Sequence, residues 1–88
     1  MKKPIYGQHF LKHIHYALKA VEEAGVTAED AIIEVGPGKG VLTKYLLAKA
    51  GFVLALEIDP RFINKLKEKF AGSVNFEVRH ADARYVEW

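Results

Sequence analysis

The chain has 88 residues and a net charge of +2, and it contains no cysteine. This length allows one small domain, and the absence of thiols excludes disulfides and thiolate metal sites. Half of the residues are hydrophobic and 27% are charged, a balance typical of a folded chain rather than a disordered one. No apolar run approaches the ~20 residues of a membrane-spanning helix. The N-terminus also lacks the apolar stretch of a signal peptide, so we expect a cytoplasmic protein.

The N-terminal segment, residues 1–25, is predicted to be a basic arm followed by a helix. One helical face carries Leu11, Ile14, Leu18 and Val21, and Gly25 ends the pattern. The first twenty residues contain no acid but have lysines at Lys2, Lys3, Lys12 and Lys19. An uncompensated basic segment indicates either contact with a nucleic-acid backbone or, more commonly, a solvated surface.

Three strands and two helices are predicted after this segment. The strands are Ala31–Val35, Phe52–Glu57 and 74–79, and the helices run from Leu42 to about Gly51 and from Asp59 to about Gly72. Short strands alternating with helices predict an α/β fold, a Rossmann-like half-domain with a parallel sheet. The first two strands are apolar on both faces, as interior strands are, whereas the third alternates like an edge strand. This predicts a three-stranded sheet in the order 3-2-1.

The outer edge of the first predicted strand then has no neighbour in the sequence. An unpaired edge of an interior-type strand is a template for another chain. We expect a homodimer through Ala31–Val35. The two alternatives are that the tail 80–88 folds over the edge or that two copies exchange segments.

A glycine-rich loop follows the first predicted strand, with Gly36, Gly38 and Gly40 in five residues. Glycines allow a sharp turn and a close approach of the backbone to a ligand. The nicotinamide pattern needs glycine at position 41, which is Val41, and the Walker pattern needs Ser or Thr after Lys39. The spacing suits a nucleoside lying across the loop, and the alternative is a simple tight turn.

Two acidic residues come at the ends of the next strands. Glu57 ends the second strand, where a carboxylate about 20 residues beyond a glycine loop can bind both ribose hydroxyls. Asp82 follows the third strand, where it can accept from the exocyclic amine of a base. The alternatives are a solvated carboxylate for Glu57 and a turn residue for Asp82, and Asp59 is explained as a helix cap beside Pro60.

These residues resemble the N-terminal portion of the ribosomal RNA adenine N6,N6-dimethyltransferases, a family related to the erythromycin-resistance methylases. The segments that carry the resemblance are GQHFL (7–11), EVGPGKGVLTKYL (34–46), ALEIDPRF (55–62) and HADA (80–83). The first segment is the more specific one, because many Rossmann-like methyltransferases share the glycine loop and the acid. The resemblance covers nearly all of this chain but only about the first third of a family member.

The resemblance implies a binding site for S-adenosylmethionine (SAM). The resemblance implies that the methionine end and the sulfonium are contacted by His9, Leu11, Gly36 and Gly38. The family often has Asn at the position of His9. Implied contacts to the nucleoside are Glu57 on the ribose, Ile58 on the adenine face, Asp82 on the adenine amine and Ala83 beside it. Glu34 is implied as support for the loop.

The family's catalytic motif, Asn-(Leu/Ile)-Pro-(Tyr/Phe), does not occur in these 88 residues. The resemblance therefore implies the SAM-binding half of an enzyme that methylates small-subunit ribosomal RNA, with the four lysines on the RNA and no catalytic residue in this chain. We expect weak SAM binding and no methyl transfer by the isolated chain. The alternatives are a fragment of another SAM-dependent methyltransferase and a non-catalytic folding or assembly module, with a nicotinamide dehydrogenase as a poor third.

Overall fold

A computed structural model describes residues 2–6, 19 and 21–85 of the chain, and for residues 2–6 the backbone alone. Four parallel strands form one sheet in the order β1-β2-β3-β4. The strands are β1 (Lys2–Tyr6), β2 (Ala31–Val35), β3 (Phe52–Glu57) and β4 (Phe76–His80). The connecting helices are α1 (Val41–Lys49) and α2 (Pro60–Lys69), and a short 3₁₀ turn, Ala83–Tyr85, follows β4.

The three predicted strands and their order are confirmed. β2 and β3 have the predicted bounds, since each is a short apolar run bounded by glycine or a polar turn. β4 begins at Phe76, two residues later than predicted, because Val74 is fully exposed and turns with Asn75 into the strand. The prediction of a strand in the segment 74–79 is therefore confirmed, but its predicted start is two residues too early.

The structure corrects the prediction at the other side of the sheet, where it adds a fourth strand. β1 pairs in parallel with β2, from Lys2 opposite Ala31 to Tyr6 opposite Val35. The outer edge of β2 is therefore already paired, and the expectation of a free edge there was wrong. The homodimer that was inferred from that free edge loses its basis. Part of the predicted basic arm is a strand instead.

Local sequence signals explain where the helices begin and end. Asp59 caps α2 by accepting from the backbone N–H of Arg61 at 2.9 Å, and Pro60 occupies the first helical position. Gly40 precedes α1 in a left-handed conformation. Residues 19 and 21–23 are helical, and Gly25 turns the chain at a φ of 64°. The described part of the predicted N-terminal helix is thus as expected.

Two clusters of the hydrophobic core lie between the sheet and the helices, on one face of the sheet, and Ile33 and Leu56 are buried on the other face. One cluster joins β2, β3 and α1 and consists of Val21, Ile32, Leu42, Leu46, Ala50 and Val53. The other joins β3, β4 and α2 and consists of Ala55, Leu66 and Val78. Strand residues between these positions point to the opposite face, where Phe52 is 38% exposed. Within the described residues, no helix is long and apolar enough to cross a membrane.

Candidate nucleoside-binding site

A cleft of about 320 Å³ lies at the carboxyl ends of β2, β3 and β4. Its lining residues are Val35, Gly36, Leu56, Ile58, Ala81, Asp82, Ala83 and Arg84. In parallel α/β sheets, ligands commonly bind at the carboxyl ends of the strands, because the connecting loops converge there. Four of the predicted contact residues therefore meet in one cleft, namely Gly36, Ile58, Asp82 and Ala83.

The glycine loop wraps the end of β2 and leads into α1. Gly36, Gly38 and Gly40 have φ values of 68°, 56° and 81°, which L side chains rarely adopt. The loop is held to the sheet because the N–H of Gly36 donates to the carbonyl of Leu56 at 2.9 Å. A Cβ added at Gly40 would lie 2.8 Å from Phe70, so this glycine also permits close packing against the end of α2.

Glu57 joins the glycine loop to the turn after β3. Its Oε1 accepts from the N–H of Gly38 at 2.8 Å, and its Oε2 accepts from the N–H of Asp59 at 2.9 Å. The residue is fully buried and is not among those that line the cleft. Its carboxylate thus holds the loop in place, a role that the sequence did not predict. Each oxygen retains acceptor capacity for one more donor.

Glu34, at the end of β2, is a second fully buried carboxyl group. The hydroxyl of Thr43 donates to its Oε1 at 2.5 Å, while its Oε2 has no hydrogen-bond partner. Burial raises the pKa of Glu34 to about 7, with a smaller contribution from repulsion by Glu57, and the bond from Thr43 opposes this rise. The support from Thr43 was not predicted; a Thr in the first turn of the helix after the loop was its only signal.

Asp82 enters the cleft as one half of an ion pair. Arg84 contacts both carboxylate oxygens, with Nη2 2.7 Å from Oδ2 and Nε 3.1 Å from Oδ1. These bonds hold the pKa of Asp82 below its usual range, so the group accepts hydrogen bonds and does not donate them. Arg84 was not singled out from the sequence, although the spacing Asp-x-Arg occurs twice, at Asp59 and at Asp82.

The remaining predicted residues are not brought into this cleft by the described structure. Lys19 is exposed, with its Nζ 3.9 Å from a carboxylate oxygen of Glu23. Lys2 and Lys3 belong to β1, for which only the backbone is described. Predictions for His9, Leu11 and Lys12 fall outside the described residues.

The family described as Ribosomal RNA adenine dimethylase matches residues 1–88, the whole of the chain. The chain belongs to this family. It is 47% identical over 76 residues to Ribosomal RNA small subunit methyltransferase A of Dehalococcoides mccartyi strain BAV1. It is 39% identical over 85 residues to a probable dimethyladenosine transferase of Caenorhabditis elegans. These matches cover 86% and 93% of the chain but 26% and 28% of the relatives, so the chain spans about a quarter of their length.

Two solved structures are similar to this chain over part of their length. A dimethyladenosine transferase from Plasmodium falciparum superposes with a TM-score of 0.78 at 32% identity, over 84% of the chain and 28% of that protein. The 23S rRNA methyltransferase ErmE superposes with a TM-score of 0.76 at 37% identity, over 83% of the chain and 30% of that protein. The resemblance to the dimethyltransferase family and the Rossmann-like fold are therefore confirmed, and the dimethylase relatives are methyltransferases.

Proposed function

We propose that this dimethylase chain is the methyl-donor-binding part of a ribosomal RNA adenine dimethyltransferase and that it binds SAM. The single observation that carries the proposal is the cleft at the carboxyl ends of β2, β3 and β4, between the glycine loop and the Asp82 ion pair. Its volume of about 320 Å³ falls in the range of small-molecule sites, and its lining mixes apolar and polar groups as such sites do.

The adenine end of the ligand is recognised at Ile58 and Asp82. Ile58 is 54% exposed and lines the cleft, so it offers an apolar surface to the flat face of a base. Asp82 is kept deprotonated by Arg84, and a carboxylate without a proton accepts a hydrogen bond from an exocyclic amine. This pairing favours adenine over a base with a carbonyl at the same position, since a carbonyl would face the carboxylate with no hydrogen between them.

The ribose and the methionine end extend towards the glycine loop. Glu57 is fully buried and holds the loop through its present bonds, so a contact from its oxygens to the ribose hydroxyls requires the loop to move aside. The end of β1 is level with the end of β2, because Tyr6 lies opposite Val35. Tyr6 therefore lies at the cleft end of the sheet. We propose that His9 and Leu11 contact the methionine end, as the resemblance implies.

The acceptor base requires residues that the 88-residue sequence does not contain. Methyl transfer from a sulfonium needs the acceptor amine held in line with the donor. The Asn-x-Pro motif that the resemblance assigns to this task is absent, so we propose that the isolated chain binds the donor without transferring its methyl group. The proposed substrate of the whole protein is the small-subunit ribosomal RNA named for its relatives, approached by the basic residues Lys2, Lys3, Lys12 and Lys19, and a cytoplasmic location fits this substrate.

An NMR titration of ¹⁵N-labelled chain tests the cleft directly. On addition of S-adenosylhomocysteine, we expect amide shifts at Gly36, Ile58 and Ala83, and none at Ser73 or Val78, which line a separate pocket near the C-terminal end of α2. Adenosine is expected to shift the same amides, and inosine, which lacks the amine, to bind more weakly. Absence of any shift at millimolar ligand, or shifts confined to the region of Ser73, would contradict the proposal.

A further inference from the structure

We propose that His80 is a positioning residue of the nucleoside cleft, because its ring fixes the backbone of Ile58 and with it the apolar surface that meets the base. The inference rests on the proposed function and deepens it, since Ile58 is the residue offered to the face of adenine. His80 belongs to one of the segments that carry the family resemblance, but it does not line the cleft and the resemblance assigns it no contact.

The contact runs from the end of β4 to the residue that follows β3. His80 is the last residue of β4 and lies opposite Glu57, the last residue of β3. Its Nε2 is 2.9 Å from the carbonyl oxygen of Ile58. A carbonyl oxygen accepts and does not donate, so Nε2 donates and the neutral ring carries its hydrogen there. The ring of His80 therefore continues the connection between the two strands beyond their last register pair.

The peptide unit between Ile58 and Asp59 is held on both sides by this contact and a second one. Its carbonyl belongs to Ile58 and accepts from His80, and its N–H belongs to Asp59. This N–H donates to Oε2 of Glu57 at 2.9 Å. A trans peptide unit is planar, and its C=O and N–H point in opposite directions. Two bonds from opposite sides therefore fix the orientation of the plane, whereas loss of the His80 bond leaves only one.

The position of the Ile58 side chain depends on this backbone orientation. Ile58 is 54% exposed, whereas the three residues before it, 55–57, are buried. A side chain that is half in solvent has little packing to hold it, so the direction in which it leaves the backbone decides where it lies. A backbone that is fixed before binding presents the apolar surface without an ordering cost when the ligand arrives.

The same end of β4 carries the proposed contact to the edge of the base. Asp82 lies two residues after His80 and lines the cleft together with Ile58. Ala81, between them, donates its N–H to the carbonyl of Glu57 at 3.0 Å. The His80 bond thus fixes the residue at the face of the base relative to the residue at its edge. Affinity is higher when both contacts are in place before the ligand binds.

The alternative role for His80 is electrostatic, and the charges around the ring allow the two roles to be separated. Hydrogen bonds from Arg61 lower the pKa of Asp59 to about 2, and the charge of His80 makes the smallest contribution to this shift. Arg61 also forms an ion pair with Asp59, with 2.6 Å between Nη2 and Oδ2. Because Asp59 already has this partner, a neutral side chain that donates to Ile58 should replace His80 without loss.

Two substitutions of His80 separate the hydrogen bond from the shape and the charge of the ring. The amide of His80→Gln reaches about as far as Nε2 and keeps a donor without a charge. His80→Phe keeps an aromatic ring without a donor. His80 is exposed, so both variants should fold as the wild type does. Arg79→Gln is the matched control, because Arg79 is the exposed neighbour on the same strand and pairs with Glu77.

The carbonyl ¹³C shift of Ile58 in the free chain measures the bond without any ligand. We expect His80→Phe to change this shift, since the carbonyl loses its donor. His80→Gln and Arg79→Gln should leave it near that of the wild type. An unchanged shift in His80→Phe would show that the bond does not form in solution and would overturn the proposal.

Calorimetric titration with adenosine measures the consequence for the cleft. His80→Phe should bind adenosine about two- to tenfold more weakly than the wild type, as expected for the loss of one neutral hydrogen bond. His80→Gln and Arg79→Gln should bind as the wild type does. Equal affinities of His80→Phe and the wild type, or equally weak binding by both His80 variants, would overturn the proposal. If the wild type itself does not bind adenosine, the proposed function fails, and the role of His80 in ligand binding fails with it.

Discussion

Two glutamates at the ends of neighbouring strands are equally buried but differently supported. Glu57 ends β3 and accepts one backbone N–H on each oxygen, from Gly38 and from Asp59. Glu34, near the end of β2, has a single donor in Thr43 and one oxygen without a partner. Both side chains are fully inaccessible to solvent. The contrast therefore isolates the effect of hydrogen-bond donors from the effect of burial.

The two glutamates have different roles although both lie near the carboxyl ends of neighbouring strands. A carboxylate that bridges two backbone segments fixes their spacing, and Glu57 does so for the glycine loop and the turn into α2. A buried carboxyl group with one donor is instead stabilised by holding a proton, as the raised pKa of Glu34 indicates. Substitutions at Glu57, Glu34 and Thr43 separate these two roles.

Removal of the Glu57 carboxylate should have the largest effect. In Glu57→Ala, two backbone N–H groups lose their acceptor, and each buried unpaired donor costs about 1–3 kcal/mol. We expect a loss of about 2–5 kcal/mol in the free energy of unfolding, measured by urea denaturation. Glu77→Ala on the outer strand β4, where the glutamate is exposed, is the control and should cost under about 0.5 kcal/mol. Equal losses of unfolding free energy in Glu57→Ala and Glu77→Ala would show that Glu57 does not have this structural role.

Protonation of Glu34 should make stability depend on pH. Its pKa is about 7 in the folded chain against an ordinary value of 4.5, so between these values the folded state binds more protons than the unfolded state. Stability should therefore fall as pH rises from about 5 to about 7, by up to about 3 kcal/mol, and then level off. Urea denaturation across this range measures the slope. Glu34→Gln should flatten it, and a slope that survives this substitution would assign the effect to another group.

Loss of the single donor to Glu34 should have a smaller effect in the same direction. Thr43→Val removes the hydroxyl and keeps the shape, at a cost of about 1–2 kcal/mol. Because the bond from Thr43 lowers the pKa of Glu34, the midpoint of the pH dependence should move to higher pH. Thr43→Ser retains the hydroxyl and should leave the midpoint near that of the wild type. A midpoint that does not move in Thr43→Val would mean that the bond does not act on the titration.

The two Asp-x-Arg pairs should respond locally, with little change in stability. Arg84→Gln should raise the pKa of Asp82 towards its usual range and leave that of Asp59 at about 2. Arg61→Gln should do the reverse, so each variant is the other's control. Carboxyl ¹³C shifts followed through an acid titration report both groups at once. If the pKa of Asp82 is the same in Arg84→Gln as in the wild type, Arg84 has no part in the proposed adenine contact.

Sequence patterns predicted the elements whose signals are local. β3 is a continuous apolar run, and Asp59 with Pro60 marks a helix start that needs no tertiary contact. β1 was missed because Lys-Lys-Pro-Ile-Tyr carries no strand signal of its own and pairs only because β2 offers an edge. That edge comes from residues some thirty positions away, which a local pattern does not contain.

The same limit applies to the site. The sequence predicts where the strands end, and this was enough to place Gly36 and Asp82 at the same end of the sheet. The bond from Gly38 to Glu57 joins residues 19 positions apart and depends on the path of the loop. Side-chain partners such as Thr43 and Arg84 are set by the fold around them, and their residue types alone gave no reason to single them out.

Calorimetric titration of S-adenosylhomocysteine into the wild type and Glu57→Gln tests the central claim most directly, because Glu57 links the loop, the strand end and the proposed ribose contact. The variant keeps the shape of the side chain but replaces one acceptor with a donor. We predict that its affinity falls by about tenfold to 150-fold, as expected for lost hydrogen bonds to a charged group, while Glu77→Gln binds as the wild type does. Equal affinities of Glu57→Gln and the wild type would contradict the account.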